Sequence, residues 1–581
     1  MIGVVYGFAP RADGAGERSF DMKKTPRVFT PITSFKNLVG QMAERGDKVA
    51  FRFRTGEGYD ALSYGAFAER VLALAAGFDA VGLAGKRVGV IGETSTDWVA
   101  TYLAVTAGGG VIVPMDKELA ISEIEGFLAG VEAEAIVYSP SFHEKFAHAR
   151  AEHPSLKLFI PMAGSASEGN VLALDDVAEK GKAGLENGYA LPDRDPESPA
   201  VMLFTSGTTG TSKCVLLCER NLMAATNAAC DTVDFSADDT TMSVLPLHHT
   251  YELTIMLASL TYGMTVSIND SLKHLMKNLS VFKPTGLVLV PLFVTTMYKR
   301  IWDEAKKKGK DKLLRRMLKV SNGLRHVGID LRRKLFADVL AAFGGRLCKI
   351  ICGGAPLNPE MVKCYDALGI PICEGYGITE CSPLIAVTPY YAPRPGSVGP
   401  AVSCCEVRIA DGQENEHGFE EGEIQVKGEN VMLGYYNNDE ENAKAFTEDG
   451  WYCTGDIGYL DTDNYIHITG RKKSVIVLEN GKNVFPEEIE EYLGEIAEIK
   501  ECVVVGRKQE DDTVALTVLA YPNRDLFAPD ATDAQIYSTL WAKLTELNKT
   551  LPSFKKIKAL EVRNEEFPKT TSMKIKRHLV Q

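Results

Sequence analysis

Short apolar runs alternate with segments of helical periodicity along most of the chain. Residues 64–81 and 98–107 are typical of helices, whereas 87–91 and 110–114 are short, mostly apolar runs that are typical of buried strands. This alternation predicts an α/β fold with a parallel sheet that is covered by helices on both faces. Further strands are predicted at 135–138, 200–204, 241–245, 265–268, 286–291 and 347–352.

The pattern changes after residue 470. Pro486 is predicted to begin a helix that has Ile489, Leu493 and Ile496 on one face. Strands at 502–505, 514–521 and 557–562 and a helix at 534–548 complete a small α+β unit. We predict three regions, which are a lead-in segment at 1–30, a large domain at 31–470 and a small domain at 471–581.

Composition excludes several classes of protein. The chain has 581 residues, so it is long enough for more than one domain. Its net charge of −13 argues against a dedicated nucleic-acid binder, because most of its surface repels phosphate. Twelve cysteines without a CxxC pair indicate reduced thiols rather than a zinc site. The first residues do not have the pattern of a signal peptide, and no run approaches the ~20 apolar residues of a membrane span, so we expect a cytoplasmic protein.

A basic segment occupies residues 305–333. Within it, Leu313, Met317 and Val320 make an apolar stripe at helical spacing, which predicts an amphipathic helix. We favour a solvated helix face over peripheral contact with anionic lipid at the inner face of the membrane, and the second interpretation stays open.

The first candidate site follows the apolar run at 200–204. The sequence TSGTTGTSK, from Thr205 to Lys213, places glycines and hydroxyl groups where a strand ends. Glycines let backbone N–H groups approach an anion, hydroxyl groups add donors, and Lys213 adds a positive charge. The spacing differs from GxxxxGK[ST], because the lysine follows Gly210 by three residues. Composition alone is also compatible with an ordinary solvated loop, but we predict a phosphate-binding turn made of Thr205, Ser206, Gly207, Thr208, Thr209, Gly210 and Lys213.

A series of motifs resembles those of the adenylate-forming (acyl-activating, AMP-binding) superfamily, in the order expected for that family. After TSGTTGTSK they include LPLHHTYE, IICGGAPL, EGYGITE, WYCTGDIG, GRKKSVIVLENGKNV and a tail with FPKTTSMKIK. The combination is most similar to bacterial long-chain fatty acyl-CoA synthetases. The resemblance implies a large multi-sheet N-terminal domain and a small mobile α+β domain. Three positions depart from the family pattern: Ser212 replaces a proline, and Cys214 and Met573 each replace a glycine.

The resemblance also implies roles for individual residues. Gly354, Ala355 and Tyr376 match residues that surround adenine, and Thr379 matches a contact to the α-phosphate. In the same alignment of motifs Asp456 accepts the ribose hydroxyl groups, Arg471 contacts ribose or phosphate, and Lys473 lies at the hinge between the domains.

The residues implied in chemistry are Lys574, Glu380, Thr205 and His249. Lys574 is implied to reach into the active site from the small domain, Glu380 to bind Mg²⁺, and His249 to line the acyl pocket. Gly377 is implied to leave that pocket open, because acetyl-specific relatives have tryptophan at the matching position.

The function implied is ATP-dependent activation of a medium- or long-chain fatty acid to acyl-AMP, followed by thioester formation with coenzyme A and release of AMP. ATP, Mg²⁺ and coenzyme A are the implied cofactor and co-substrates. Two alternatives stay open: transfer of the acyl group to the phosphopantetheine of a carrier protein, and a non-catalytic relative that binds nucleotide or lipid. A homodimer is also left open.

Overall fold

The computed structural model describes residues 29–56, 58–164, 167–205, 212–415, 417–478, 483–509, 514–569 and 575–580. The predicted lead-in segment at 1–30 therefore lies almost wholly outside the described residues. The helices are α1 Phe35–Glu44, α2 Tyr64–Ala80, α3 Thr96–Ala107, α4 Ile121–Gly130, α5 Ala147–Ala151, α6 Leu174–Glu186, α7 Glu219–Thr232, α8 Thr250–Tyr262, α9 Leu275–Phe282, α10 Pro291–Lys307, α11 Asp311–His326, α12 Arg332–Leu335, α13 Ala337–Ala341, α14 Pro359–Leu368, α15 Asp439–Ala445, α16 Pro486–Gly494 and α17 Asp533–Leu547.

The strands give the sheets their order. They are β1 Val49–Thr55, β2 Gly58–Ser63, β3 Arg87–Ile91, β4 Val111–Pro114, β5 Ala135–Tyr138, β6 Leu158–Pro161, β7 Pro199–Thr205, β8 Lys213–Cys218, β9 Thr240–Ser243, β10 Thr265–Ile268, β11 Gly286–Leu289, β12 Lys349–Gly353, β13 Ile372–Gly377, β14 Leu384–Val387, β15 Cys405–Glu414, β16 Glu420–Gly428, β17 Gly434–Tyr435, β18 Tyr452–Leu460, β19 Ile466–Arg471, β20 Ile476–Val477, β21 Asn483–Val484, β22 Ile499–Lys508, β23 Val514–Pro522 and β24 Ala559–Val562.

A seven-stranded sheet has the order β17-β8-β7-β4-β3-β5-β6. Its pairs from β7 to β6 are parallel, as the alternating pattern predicts, but β8 pairs with β7 and with β17 in antiparallel register. The prediction of a purely parallel sheet was therefore wrong at this edge. β7 and β8 form a hairpin there, and the segment 206–212 that connects them includes most of the predicted phosphate-binding turn.

Three further sheets precede residue 472. Their orders are β2-β1-β10-β9, β11-β12-β13-β14 and β15-β16-β18-β19. Together with the seven-stranded sheet they form the multi-sheet region that the family resemblance implies. The strands from β15 to β19 were not predicted, because polar residues interrupt their apolar positions. Parallel pairing joins β11 to β12 and β12 to β13, so the carboxyl ends of these strands meet at one edge.

Helices α2 and α6 approach each other closely over the large core. A Cβ atom on Gly181 would lie 1.7 Å from the carbonyl oxygen of Ala73, and one on Gly77 would lie 2.1 Å from that of Val177. The two glycines therefore allow backbone to pack against backbone, which no other residue type permits at this distance.

The segment after residue 471 forms its own hydrophobic core. The helix predicted to begin at Pro486 is confirmed, and Ile489 and Leu493 are fully buried against β22, β23 and α17. Ile496 lies just beyond the helix and is half-buried. Strands β22, β23 and β24 form a separate three-stranded sheet, as the sequence pattern predicts.

The basic segment is helical, as predicted, over α11. The predicted apolar stripe does not face the core, because the buried positions of the helix are Leu314 and Ser321. Met317 is half-buried, whereas Leu313 and Val320 are exposed. In the part of the chain that the structure describes, no helix combines the length and the apolar character needed to cross a bilayer.

Candidate active site

The candidate site begins at the carboxyl ends of β12 and β13. Gly354 and Ala355 directly follow β12 and are exposed, and Tyr376 is the penultimate residue of β13. The register pairs Gly353 with Gly375, so the two motifs lie side by side. Ligands of α/β proteins commonly bind at such an edge, because backbone and side-chain donors from neighbouring strands converge there.

The carboxylate of Asp456 joins two other motifs at this edge. Asp456 and Arg471 are directly opposite each other on β18 and β19, and Arg471 Nε lies 2.7 Å from Asp456 Oδ1. The hydroxyl of Tyr376 donates to Asp456 Oδ2 at 2.6 Å. The Asp456 side chain is only 4% exposed, so both contacts form in a site with little water. Asp456 raises the pKa of Arg471, and the nearby charge of Glu380 raises it further.

The turn that presents Asp456 depends on a buried carboxylate. Gly455 has φ +71°, a conformation that favours glycine, and its N–H donates to Glu423 Oε1 at 3.1 Å. The ammonium of Lys472 donates to the other oxygen of Glu423 at 2.7 Å. Glu423 therefore connects the predicted ribose site to the residue that precedes the predicted hinge, Lys473.

Glu380 lies beside a pair of tyrosines. It belongs to the short turn that follows β13, and the hydroxyl of Tyr435 donates to its Oε1 at 2.8 Å. The hydroxyl of Tyr452 lies 3.2 Å from that of Tyr435. Burial, chiefly, and the charge of Glu380 raise the pKa of both tyrosines, so both hydroxyl groups stay protonated at neutral pH. Tyr435 therefore fixes the orientation of the Glu380 carboxylate.

Lys213 is oriented toward the same tyrosine. Its ammonium lies 4.8 Å from the centroid of the Tyr435 ring and forms an ion pair with Glu441, from the first turn of α15. The predicted phosphate-binding residues Ser206, Gly207, Thr208, Thr209 and Gly210 lie outside the described residues. Thr205 ends β7, and its hydroxyl lies 3.5 Å from the carbonyl oxygen of Lys213.

The departure at Cys214 lies on strand β8 rather than in the loop. Cys214 is 7% exposed, and burial raises the pKa of its thiol to about 12. A protonated, buried thiol of this kind packs as a small apolar side chain.

His249 lies at the start of α8, as the residue that caps the helix. Its ring centroid is 4.2 Å from that of His248, whose Nε2 lies 3.5 Å from Asp116 Oδ2. Burial lowers the pKa of His248 despite the nearby Asp116 carboxylate. The acyl-pocket role of His249 stays a prediction.

A buried glutamate stabilises the loop that carries these histidines. Glu252 is 2% exposed and accepts a hydrogen bond from the hydroxyl of Ser243, at the end of β9. The backbone N–H of Leu245 also donates to it, and burial raises its pKa to about 8. Glu252 is therefore neutral at pH 7 and connects α8 to β9.

Gly377 lies where no side chain fits. A Cβ atom at this position would be 2.0 Å from the carbonyl oxygen of Pro383. Backbone packing alone therefore requires glycine here, whatever the size of the acyl pocket. The implied effect of Gly377 on that pocket stays a prediction. Thr379 lies two residues further on, half-buried in the same turn as Glu380.

Besides the ion pair of Lys472 with Glu423, further interactions connect the described residues before 471 to those after it. Asn358 donates to Glu495 Oε1 at 2.6 Å. Glu374, on β13, is 8% exposed, and burial and the charge of Glu491 raise its pKa to about 8. Lys473 is exposed in the short turn after β19. Lys574 lies outside the described residues.

The carboxylate arrangement fits magnesium as a partner of bound nucleotide. Among the described residues there is no cluster of three metal-binding side chains. Mg²⁺ commonly takes one or two protein carboxylates and completes its shell with water and substrate phosphates. Glu380, half-buried and oriented by Tyr435, has the chemistry of such a single protein ligand.

Sequence reasoning missed Tyr435, Glu441 and Glu423. Glu423 and Tyr435 lie in the segment EGEIQVKGENVMLGYYN, which contains none of the predicted site residues, and Glu441 lies on α15. A weak signal was present, because GYYN places two tyrosines directly before the polar run NDEEN.

Comparison with known proteins identifies related chains. A family model described as AMP-binding enzyme matches residues 38–436, and a model described as AMP-binding enzyme C-terminal domain matches residues 473–581. The long-chain-fatty-acid–CoA ligase FadD15 of Mycobacterium bovis is 31% identical over 458 residues, which cover 76% of this chain and 74% of that protein.

Two further proteins show how far the similarity extends. A chloroplastic long-chain-fatty-acid–[acyl-carrier-protein] ligase of Arabidopsis thaliana is 27% identical over 532 residues, covering 80% of this chain and 72% of that protein. The crystal structure of ATP-bound MatB from Rhodopseudomonas palustris superposes with a TM-score of 0.72 at 25% identity, covering 94% of this chain and 98% of that one.

Proposed function

Because the chain belongs to the AMP-binding enzyme family, we propose that it activates a medium- or long-chain fatty acid with ATP and transfers the acyl group to coenzyme A. The observation that carries this proposal is the convergence of two sheets on one site: Tyr376 and Glu380 lie at the carboxyl end of β13, and Asp456 and Arg471 pair across β18 and β19. Mycobacterial relatives named as long-chain-fatty-acid–CoA ligases support the choice of acid and acceptor.

The first half-reaction joins two anions. A carboxylate oxygen of the fatty acid bonds to the α-phosphorus of ATP, and the bond from that phosphorus to pyrophosphate breaks. Positive charge and donors must therefore surround the α-phosphate as it gains a fifth ligand. In our proposal Lys574 and the turn from Thr205 to Lys213 supply them, and Thr379 adds a hydroxyl group. Mg²⁺ held by Glu380 supplies charge neutralisation on the phosphates.

In the second half-reaction the sulfur of coenzyme A replaces AMP on the acyl carbon. The thiolate of coenzyme A bonds to the acyl carbon, and AMP leaves with the electron pair of the broken C–O bond. Asp456 accepts the ribose hydroxyl groups, and Arg471 and Tyr376 orient its carboxylate, so the nucleotide keeps its orientation in both steps. We propose that the division lies at 470/471, that Lys473 is the hinge, and that rotation of the small domain withdraws Lys574 between the steps.

A carrier-protein acceptor is the second candidate. The observation that favours it is the Arabidopsis relative, whose name gives acyl-carrier protein as its acceptor. The two candidates share the adenylation step and differ only in the thiol that attacks. We also propose a cytoplasmic location with contact at the inner membrane face, which cell fractionation tests. A homodimer is proposed as well, and sedimentation velocity tests it.

A pyrophosphate-release screen tests the adenylation step. Purified chain is supplied with ATP, Mg²⁺ and carboxylic acids of graded length, including aryl acids. We expect release with medium- or long-chain fatty acids and little with acetate. No release with any acid would overturn the proposal and would favour a non-catalytic relative.

Radiolabelled fatty acid with either thiol then separates the acceptors. We expect labelled acyl-CoA. Labelled carrier protein with no acyl-CoA would replace coenzyme A by the carrier protein.

A further inference from the structure

Helix α11 presents a row of apolar side chains to solvent. Leu313 and Val320, on α11, are 50% and 53% exposed, and Val327, directly after the helix, is 70% exposed. They are spaced at intervals of seven residues, which keeps them within a narrow sector of the helix surface because the drift is only ~20° per seven residues. The buried side of the helix carries Leu314 and Ser321, which lie about 100° around the axis from the exposed row. The exposed row is therefore additional to the apolar contacts that hold the helix in place.

Basic side chains flank this row. Between residues 305 and 333 the chain has eleven lysines and arginines and two aspartates, whereas the whole chain has a net charge of −13. Some of these charges are used within the fold, since Arg325 pairs with Asp366 at 2.5 Å and Arg332 with the same residue at 2.9 Å. In the described ranges, no ion pair is found for the exposed residues Lys306, Lys307, Lys310, Lys312, Arg316 and Lys319.

We propose that the exposed face of α11 docks onto a bilayer surface that carries anionic phospholipid headgroups. Basic side chains beside Leu313 and Val320 attract the headgroups, and the apolar row enters the boundary between headgroups and acyl chains. From Leu313 to the end of α11 at His326 the helix extends for about 20 Å, which suits a flat, extended surface. Nucleic acid would match the charge but would leave the three apolar side chains in water.

This inference rests on the proposed function for its biological sense. A long-chain fatty acid partitions into membranes, so an enzyme that consumes it gains access to its substrate by binding there. The basic charge and the exposed apolar row are observed independently of that function, however. The docking surface and the proposed activity can therefore be tested separately.

Vesicle binding tests the surface with the full chain. Flotation is measured with vesicles of phosphatidylcholine alone and with vesicles in which about a third of the lipid is phosphatidylglycerol. We expect binding to the anionic vesicles that is at least about tenfold stronger and that weakens with added salt. Absence of binding to the anionic vesicles would overturn the proposal.

Two double variants separate charge from insertion. Arg316→Glu with Lys319→Glu is expected to lower partitioning by more than about tenfold, because each basic side chain near an anionic surface adds to binding. Leu313→Ser with Val320→Ser is expected to lower it by about tenfold through loss of apolar burial. Partitioning equal to the wild type in both variants would overturn the proposal.

Matched control variants are available in the region after residue 471. Leu526→Ser removes an apolar side chain that is 54% exposed, close to the exposure of Val320. Lys556→Glu with Lys558→Glu reverses two exposed lysines. Both controls are expected to partition like the wild type, and a loss as large as in the α11 variants would overturn the assignment to this face.

Pyrophosphate release with octanoate is measured for the same proteins. Release without vesicle binding would overturn the docking surface and leave the proposed function intact. Vesicle binding without pyrophosphate release from any acid would overturn the proposed function and leave the docking surface intact. Binding of an acidic carrier protein that is lost in Arg316→Glu with Lys319→Glu, while anionic vesicles do not bind, would assign the face to a protein partner instead.

Discussion

Arg471 Nε lies 2.7 Å from Asp456 Oδ1, and the two residues are directly opposite each other on adjacent strands. The pair is therefore fixed by strand register and not by a flexible loop. We expect Asp456→Asn to raise the KM for ATP by about 10- to 100-fold, because hydrogen bonds to a charged group contribute about 1.5–3 kcal/mol. Pyrophosphate-release kinetics at varied ATP measure the change.

The control for this variant is Asp449→Asn, which changes an exposed carboxylate that pairs with Arg408 at 2.7 Å. We expect its KM for ATP to equal that of the wild type. An Asp456→Asn enzyme with unchanged KM for ATP would contradict the ribose assignment.

Lys574→Ala is expected to abolish adenylate formation and to spare thiolysis of supplied acyl-adenylate. The reason is that an ammonium group near the α-phosphate stabilises charge only in the first step. Pyrophosphate release measures one half-reaction, and acyl-CoA formation from synthetic acyl-AMP measures the other. Lys576→Ala, two residues away, serves as the control, and equal loss of both half-reactions in Lys574→Ala would count against the assigned role.

Tyr435→Phe is expected to weaken the response to Mg²⁺ without abolishing catalysis. The change removes the hydroxyl that donates to Glu380 Oε1 at 2.8 Å, so the carboxylate loses its fixed orientation. Loss of such an outer partner commonly costs about 10–100-fold in metal affinity or activity. Titration of pyrophosphate release with Mg²⁺ measures it.

Glu380→Gln, which removes the charge itself, should have the larger effect in the same titration. The control is Tyr537→Phe, which changes an exposed tyrosine on α17. An unchanged Mg²⁺ titration in Tyr435→Phe would show that the hydroxyl does not orient the carboxylate.

Glu252 makes stability depend on pH. Its folded pKa of about 8 lies above the unfolded value of about 4.3, so the folded state holds the proton more tightly. Its contribution to stability is fully present below the unfolded pKa and is lost as pH rises toward and through 8. We expect the thermal midpoint to fall between pH 6 and pH 8.5, and calorimetry measures the fall.

Glu252→Gln keeps hydrogen-bonding capacity without a titrating proton, so its midpoint should fall less with pH than that of the wild type. Glu252→Ala should destabilise at every pH by about 1–3 kcal/mol, because the hydroxyl of Ser243 and the N–H of Leu245 lose their acceptor. A pH profile of Glu252→Gln identical to that of the wild type would remove Glu252 as the cause.

Gly181→Ala tests the contact between α2 and α6. The new methyl group would meet the Ala73 carbonyl oxygen at 1.7 Å, so we expect a loss of about 1–3 kcal/mol despite the better helix propensity of alanine. Gly40→Ala, in α1 with no atom within 4 Å of the new Cβ, should stabilise by up to about 1 kcal/mol. Denaturant unfolding of both variants measures the difference.

Buried strands could be predicted from sequence because their signal is local. The strands at 87–91, 135–138 and 265–268 agree with the structure residue for residue, since each is a short apolar run with sharp ends. The polar strands from β15 to β19 could not be found in this way. Their buried positions include polar residues such as Glu423, Gln425 and Thr454, and their pairing depends on partners that lie far along the chain.

The candidate site was only partly accessible to sequence reasoning. Family resemblance identified Asp456, Arg471 and Tyr376, but only the structure shows that the Tyr376 hydroxyl and the Arg471 guanidinium contact one carboxylate. Tyr435 reaches Glu380 across 55 residues of sequence. Such tertiary contacts leave no spacing for a pattern to detect.

The close approach of Gly377 to the carbonyl oxygen of Pro383 limits which residues position 377 can accept. A bulky residue cannot be exchanged into position 377 in one step, because the carbonyl of Pro383 already occupies the room that its first carbon would need. A larger side chain at this position would first require the backbone around Pro383 to take a different path. Libraries that randomise Gly377 alone should return mainly destabilised variants, whereas those that vary both segments together allow the backbone to move and admit a side chain.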